Sequence, residues 1–255
     1  MDRTEEPALN ASPAAQLRLL DIQSLDSRLD QLAHRRQNLT ELAELDRIGN
    51  RLNELHGLII AAETKESDIR REQAKAETDV DRVRSRAERD QQRLDAGRVG
   101  SPRELESLQS EIASLARRQS DLEDTVLEIM ERHENVQKQV ADLAKERDEL
   151  TAARDDVARR RDEAFAELDA DIAAATEERA AAVAEVPDAL LALYEKLRGQ
   201  MGGVGAAALS QRRCEGCRLE LNTIEISRIA NAPPDEVLRC EECRRILVRT
   251  PKSGL

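Results

Sequence analysis

Two long stretches of this chain follow alternating steps of three and four positions, with an apolar residue at most of these steps and a polar residue, such as Glu66 or His133, at the others. The first stretch contains Leu52, Leu55, Ile59, Ala62, Ile69, Ala76, Val80, Val83, Ala87 and Leu94. The second contains Leu105, Leu108, Ile112, Leu115, Leu122, Val126, Ile129, Val136, Val140, Leu143, Leu150, Val157, Ala164 and Leu168. This spacing aligns the apolar side chains along one seam of a helix, which is typical of a coiled coil. We therefore predict two long helices that pack along their seams.

A short break, DAGRVGSPRELE, separates the two stretches. Gly97 and Gly100 suit the left-handed backbone of a turn. Ser101, Pro102 and Glu104 have the order of a capping box with proline at the first helical position. Because a connection of about six residues makes neighbouring helices antiparallel, we predict an antiparallel coiled-coil hairpin over residues 13–186, with its turn at about 96–101.

The first predicted helix contains one irregular region. Leu39, Leu42, Leu45 and Ile48 are spaced by threes, which shifts the phase of the repeat. Gly49 and Gly57 follow, and each lowers helix propensity by roughly 1 kcal/mol. We predict one helix from Pro13 to Asp95 with a bend in this region.

The composition agrees with long helices better than with a thick core. Charged residues make up 36% of the chain and aromatic residues 1%, and the net charge is −12. No apolar run reaches the ~20 residues of a membrane span, and the polar start MDRTEEPALNASP lacks a signal-peptide core. We expect a cytoplasmic protein whose residues 1–12 form a disordered tail.

All four cysteines lie near the end of the sequence, in two C-x2-C pairs separated by 22 residues. Two-residue spacing lets both thiolates of a pair reach one ion, and four thiolates suit tetrahedral zinc. The predicted zinc ligands are Cys214, Cys217, Cys240 and Cys243. We predict a connecting helix at 187–201 and a small C4 zinc ribbon at 202–255, too small to fold without one structural Zn²⁺.

Other chemistry is less well supported by the sequence. A redox or disulfide role for the cysteine pairs is the alternative, but a thioredoxin-like site needs a βαβ context that the sequence lacks. His34, His56 and His133 lie on predicted helices without a nucleophile or a paired acid. We therefore expect no enzymatic activity and no small-molecule substrate.

Two motifs together resemble a known family. The segment GRVGSPRELESLQSEI is similar to the hairpin tip of the bacterial C4-type zinc-ribbon family with an N-terminal coiled-coil hairpin, and CEGCRLEL with CEECRRILV resembles its ribbon. Arg244 stands where the family usually has glycine. The resemblance covers nearly the whole chain from Ser12. It implies a binding protein, since members are associated with nucleic acid or act as adaptors of transcription, secretion and flagellar machinery.

Arginines supply the candidate binding residues. The ribbon set is Arg212, Arg213, Arg218, Arg239, Arg244, Arg245 and Arg249, and the hairpin tip adds Arg98 and Arg103. Residues 210–255 hold nine basic and seven acidic residues, so four thiolates and one zinc ion would bring this module close to neutral. Nucleic-acid binding is the first hypothesis, and a protein adaptor or chaperone-like scaffold is the alternative. We expect a monomer or a homodimer that does not associate with membranes.

Overall fold

The computed structural model describes residues 9–255, which form two units: residues 9–42 with 159–255, called unit 1, and residues 43–158, called unit 2. The order of elements is α1 (Pro13–Gln37), α2 (Thr40–Asp95), α3 (Pro102–Val183), α4 (Asp188–Gln200), β1 (Ala206–Ser210), β2 (Arg213–Cys214), α5 (Thr223–Asn231), β3 (Leu238–Arg239) and β4 (Ile246–Val248). The predicted fold class, a helical hairpin followed by a small cysteine-containing domain, is confirmed.

In unit 2, α2 and α3 pack antiparallel along the predicted seam. The buried seam residues of this unit are Leu55, Ile59, Ala62, Ile69, Val80, Leu108, Ile129, Val136 and Val157. A polar layer interrupts the seam where Nε2 of His133 lies 3.5 Å from Oε1 of Glu66, and both side chains are half-buried. Ion pairs such as Arg51–Glu146 and Arg132–Glu72, each 2.8 Å, join the two helices at the edges of the seam.

The turn of the hairpin is closed by backbone and side-chain caps. Gly97 has a φ of +66°, its N–H donates to the carbonyl of Leu94, and the N–H of Arg98 donates to the carbonyl of Arg93. This pair of bonds is a Schellman motif, which satisfies the last carbonyls of α2. On the other side, Ser101 Oγ accepts from the N–H of Glu104 at 3.3 Å, and the Glu104 carboxylate accepts from the N–H of Gly100 at 2.9 Å.

The first predicted helix is two helices, which corrects the continuous helix expected from Pro13 to Asp95. Gly49 and Gly57 lie within α2, and the chain breaks at Asn38 and Leu39 instead. The backbone N–H of Asn38 donates to the carbonyls of His34 and Arg35, and its side-chain amide donates to His34 at 2.7 Å. Asn38 therefore caps α1 and ends it before the phase of the heptads changes.

The segment before α1 also differs from the expected tail. Residues 1–8 lie outside the described residues, but residues 9–12 are packed rather than disordered. The N–H of Ala11 donates to the carbonyl of Asp235 at 2.8 Å, and Val237 donates to the carbonyl of Leu9 at 2.9 Å. Ser12 then caps α1 by accepting from the N–H of Ala15. These strand-like bonds attach the start of α1 to the ribbon.

Unit 1 contains a four-stranded sheet with a core on each face. The strand order is β2-β1-β4-β3, and the central pair β1 and β4 is parallel. One face of the sheet packs against α1, α4 and the end of α3, with a core that includes Leu19, Ile22, Leu190, Tyr194 and Val248. The other face covers the cysteine region, with a core that includes Leu209, Leu221, Ile229, Leu238 and Leu247.

A buried polar network joins the helices of unit 1 to the strands. Asp26 is 2% exposed and accepts hydrogen bonds from Arg179 Nε and from the Tyr194 hydroxyl, each at 2.6 Å. Gln23, one turn earlier, accepts from the N–H of Gly205 at 2.7 Å and donates to the carbonyl of Gly203 at 2.9 Å. These bonds hold α1 against α4 and against the segment that leads into β1.

Candidate metal centre and basic surfaces

The cysteines lie in two turns that have the same hydrogen bonds. In the first turn, the N–H of Arg218 donates to the carbonyl of Cys214, and Cys214 donates to the carbonyl of Leu219. In the second turn, the N–H of Arg244 donates to the carbonyl of Cys240, and the N–H of Cys240 donates to the carbonyl of Arg245. Arg218 and Arg244 both have left-handed backbones, with φ of 61° and 62°. This conformation favours glycine, which explains why glycine suits the position of Arg244.

These turns bring all four sulfurs within 4.8 Å of one another. The closest pairs join the two turns: Cys214 and Cys243 are 3.8 Å apart, and Cys217 and Cys240 are 3.9 Å apart. A tetrahedral zinc ion with Zn–S bonds of about 2.3 Å requires sulfurs about 3.8 Å apart. The donor set and its spacing therefore fit one structural Zn²⁺, which would supply a rigid crosslink between the two turns.

Burial controls the protonation of these thiols before metal binds. Desolvation raises the pKa of Cys214 to about 11, and it also raises the pKa of Cys240. Desolvation acts in the same direction on Cys243, but hydrogen bonds from Arg245 and from neighbouring cysteines outweigh it, and the pKa of Cys243 is lowered. Since zinc binds thiolates, the buried thiols of Cys214 and Cys240 must release their protons when the ion binds.

Two of the predicted binding arginines donate hydrogen bonds to backbone carbonyls of the ribbon. The Arg245 guanidinium donates to the carbonyls of Val204 and Met201, each at 2.9 Å. Arg249 donates to carbonyls between Ile229 and Glu236, including Ala232 at 3.0 Å and Pro233 at 2.6 Å. These donors satisfy backbone carbonyls of the ribbon, and a role of Arg245 and Arg249 in binding stays a prediction.

The other five ribbon arginines differ in exposure. Arg212 and Arg239 are half-buried, and Nε of Arg239 donates to the carbonyl of Arg244 at 2.9 Å. Arg213, Arg218 and Arg244 are exposed, and among residues 9–255 none of the three forms an ion pair. The structure thus places three exposed arginines beside the cysteine turns.

The hairpin tip is a second basic surface. Residues 82–118 contain nine arginines and six acidic residues, whereas the rest of unit 2 contains 11 basic and 22 acidic residues. Three of the nine pair with carboxylates: Arg82 with Asp79, Arg86 with Glu111 and Arg93 with Glu104. The remaining six are exposed and form no ion pair within the described chain: Arg84, Arg89, Arg98, Arg103, Arg117 and Arg118.

Sequence reasoning did not identify the exposed apolar residues of the ribbon. Ile224, in the first turn of α5, is 85% exposed, and Leu219, beside the first cysteine turn, is 50% exposed. A heptad-type pattern cannot reveal them, because Leu219 lies outside the helices and α5 has only nine residues. The cap of α5 is Asn222, whose side-chain oxygen accepts from the N–H of Glu225 at 2.8 Å. Between residues 9 and 255, no helix is long and apolar enough to cross a membrane.

Comparison with known proteins agrees with this architecture. Residues 22–202 match the family model described as a CT398-like coiled coil hairpin domain, and residues 213–247 match a C4-type zinc ribbon domain. Rv2229c of Mycobacterium tuberculosis is 35% identical over 94% of this chain and 98% of its own length. ML1638 of Mycobacterium leprae is 30% identical over 86% of this chain and 93% of its own length.

Two solved structures have the same fold. A Mycobacterium smegmatis protein superimposes with a TM-score of 0.81 at 35% identity, covering 95% of this chain and 100% of that one. CT398 of Chlamydia trachomatis superimposes with a TM-score of 0.67, covering 93% of this chain and 98% of that one. At 16% identity the latter shows the fold alone. The chain is therefore a member of the CT398-like family of coiled-coil hairpin proteins that end in a C4 zinc ribbon.

Proposed function

We propose that this protein is a cytoplasmic, non-enzymatic binding protein that recognises nucleic acid through phosphate contacts at the hairpin tip. Cys214, Cys217, Cys240 and Cys243 hold one structural zinc ion that folds the ribbon. The observation that supports nucleic acid is the group of six exposed, unpaired arginines on the tip of an otherwise acidic unit. Arginine is well suited to phosphate because its guanidinium group binds two oxygens at once.

The arrangement favours phosphate contacts over base recognition. The chain has one Phe and one Tyr. Tyr194 is fully buried, and the half-buried ring of Phe165 is covered by the Arg36 guanidinium group at 4.4 Å, so stacking on exposed aromatic rings is not a feature of the described surface. Binding that depends on phosphates releases counterions, and its affinity therefore falls steeply with salt concentration. We expect weak sequence preference and strong salt dependence.

The test is a comparison of two double variants by fluorescence anisotropy on labelled duplex DNA and on RNA of the same sequence. Arg98→Gln/Arg103→Gln removes two tip charges, and we expect weaker binding and a salt slope on DNA that is smaller by roughly 1.8. The matched control is Arg70→Gln/Arg71→Gln, which removes two exposed arginines that pair with Glu66 and Asp68 on the same helix. Equal salt slopes for the two double variants would overturn the tip as the binding surface.

The ribbon provides a separate test of the same function. Arg213→Gln/Arg218→Gln/Arg244→Gln removes the three exposed arginines beside the cysteine turns. If the ribbon takes part in binding, this triple variant loses affinity with zinc still bound. If it binds like the parent protein while the tip variant does not, the ribbon arginines have no role in nucleic-acid recognition.

A protein adaptor is the second candidate, and the exposure of Ile224 and Leu219 favours it. A large apolar side chain that is 85% exposed contributes to binding when a partner covers it. Affinity capture from nuclease-treated lysate, with the parent protein and with Ile224→Asp, tests this function. Partners that survive nuclease treatment and disappear with Ile224→Asp would support the adaptor, and partners lost on nuclease treatment alone would support nucleic acid.

A further inference from the structure

Unit 2 carries an open apolar groove on one side of the hairpin, next to the basic tip formed by residues 82–118. The groove has a volume of about 300 Å³ and lies between α2 and α3, where it is lined by Glu77, Val80, Asp81, Glu123, Val126 and Leu127. Val80 is buried at its floor, whereas Leu127 is 59% exposed at its side. Met130, one turn after Leu127 on α3, is 39% exposed. The apolar surface therefore continues beyond the groove along α3.

The heptad pattern explains why this surface is not part of the seam. Val126 and Ile129 occupy seam positions, and Ile129 is buried against Ile69 and Val136. Leu127 and Met130 each follow a seam residue by one position, so they lie beside the seam rather than in it. Two large apolar side chains spaced by three positions outside a seam form a stripe that a second helix can cover.

The rim of the groove has one sign of charge. Three of its six lining residues are carboxylates, Glu77, Asp81 and Glu123, and none is a cation. Along α3, residues 119–134 hold six acidic residues and one arginine, Arg132, which pairs with Glu72. On α2 the first cation toward the tip, Arg82, is paired with Asp79, whereas on α3 the first cation, Arg118, lies five positions before Glu123 and forms no ion pair within the described chain. A partner that fits this rim must present basic groups.

We propose that this groove is a docking site for a basic amphipathic helix of a partner protein. Apolar side chains of such a helix at positions i, i+3 and i+7 fill the groove over Val80, Val126 and Leu127, and lysines or arginines on its flanks face Glu77, Asp81 and Glu123. Charge complementarity favours a basic helix at this site, because an acidic or neutral helix leaves the rim carboxylates without a partner. None of the groove's lining residues is one of the arginines proposed to contact nucleic acid.

A designed peptide tests the proposal on the full-length, zinc-loaded protein. The probe is a labelled helix of about four turns with a leucine stripe and lysine flanks, and two further peptides serve as references: one with glutamates in place of the lysines and one with the leucines scrambled. We expect the lysine peptide to bind and both references to bind much more weakly. Equal binding of the glutamate peptide would overturn the assignment of a basic partner.

Leu127→Lys is the variant that separates the groove from the rest of the acidic surface. We expect it to weaken the lysine peptide by about tenfold or more, because an apolar anchor is lost and a like charge is introduced. The matched control is Leu58→Lys on α2, which adds the same charge at a leucine that is 46% exposed outside the groove. Equal affinity of the two variants would show that the peptide binds acidic surface generally, and the proposal would be wrong.

Sedimentation of the same proteins identifies a competing occupant. If the parent protein self-associates and Leu127→Lys abolishes that association, a second copy of the chain covers the groove. The proposal of a helix from a partner protein is then wrong. A monomeric parent protein that binds the lysine peptide supports it. Circular dichroism of each variant checks that the helices are intact, which we expect because Leu127 is an exposed residue.

Discussion

The phenolic hydroxyl of Tyr194 donates a 2.6 Å hydrogen bond to Oδ2 of Asp26, a carboxylate that is 2% exposed. Arg179 and Arg198 lie against the same carboxylate, with the Nε of Arg179 at 2.6 Å. A buried carboxylate is stable only when its oxygens are paired. The only tyrosine of the chain is therefore one of the groups that keep α1, α3 and α4 together.

Replacing Tyr194 with Phe should destabilise unit 1. The ring remains, but Asp26 loses one donor, and a hydrogen bond to a charged group contributes about 1.5–3 kcal/mol. Hydrogen exchange of the α4 and β1 amides should become faster, by the factor that corresponds to the free energy of this lost hydrogen bond. In an Asp26→Asn background, Tyr194→Phe should lower the free energy of unfolding by less, since the Asp26 charge is absent. Equal costs in both backgrounds would contradict the pairing of these two residues.

The same residue predicts a measurable titration. Burial and the hydrogen bond to Asp26 raise the pKa of Tyr194 above its ordinary value of 10.0. Because the raised pKa favours the protonated form in the folded state, this contribution to stability is present below the unfolded pKa and is lost as pH rises from about 10 toward the folded value. Tyrosinate absorbance of the native protein should stay low at pH 10, and in urea it should titrate near 10.0. Normal titration of the native protein would show that the hydroxyl is exposed.

Removal of a zinc ligand should unfold the ribbon and leave the hairpin of unit 2 folded. Cys214→Ser or Cys240→Ser breaks the tetrathiolate set, and the sheet then lacks the ion that contributes on the order of 10–16 kcal/mol of apparent binding energy in small zinc domains. Metal analysis should give one zinc per chain for the parent and for the control Glu215→Gln, and none for the serine variants. Loss of most of the far-UV helical signal in those variants would contradict the independence of unit 2.

Zinc affinity should rise with pH across the neutral range. Burial holds the pKa of the metal-free Cys214 thiol at about 11 and also raises that of Cys240, so both thiols are protonated near pH 7 and must lose their protons to bind the ion. Competition with a chromophoric chelator at several pH values measures the slope, and buffer-dependent calorimetry measures the protons released. Affinity that is independent of pH would mean that the thiols are already ionised.

Gly97 and Gly100 should differ in their tolerance of a side chain. Gly97 has a φ of +66°, so Gly97→Ala forces an L-residue into a left-handed backbone and should cost about 1–2 kcal/mol. At Gly100 the added Cβ meets only the Glu104 carboxylate at 3.4 Å, without a left-handed backbone. Gly100→Ala is therefore the matched control and should cost much less. Thermal unfolding of the two variants makes the comparison, and equal costs would contradict the Schellman motif at Gly97.

Features of this fold that depend on residues close in sequence can be predicted from the sequence, whereas contacts between distant residues cannot. Heptad positions such as Ile69 and Val136 are buried as their spacing indicates, and the C-x2-C pairs bring four sulfurs together because each turn is local. The break at Asn38 was missed because its signal, a capping asparagine, is one residue inside a strongly helical context. Gln23 and Asp26 look like ordinary polar residues of a helix, and only partners more than 150 positions away bury them.

The exposure of individual arginines cannot be predicted from this sequence, for a physical reason. Arginines that support backbone carbonyls, such as Arg245 and Arg249, have the same sequence signature as arginines that face solvent, such as Arg213 and Arg218. Composition counts all of them as positive charge. Only the positions of the carbonyls around each guanidinium group separate the two kinds.

Unit 1 is assembled from residues 9–42 and 159–255, and unit 2 lies between them in the sequence. During translation, α1 therefore leaves the ribosome before unit 2, with Leu19 and Ile22 uncovered, and its partners Leu190 and Tyr194 are made only after all of unit 2. The hairpin of unit 2 has all of its own contacts before any of the ribbon exists. A nascent chain that stalls before Leu190 presents an unprotected apolar helix, which is the kind of segment that chaperones and proteases recognise.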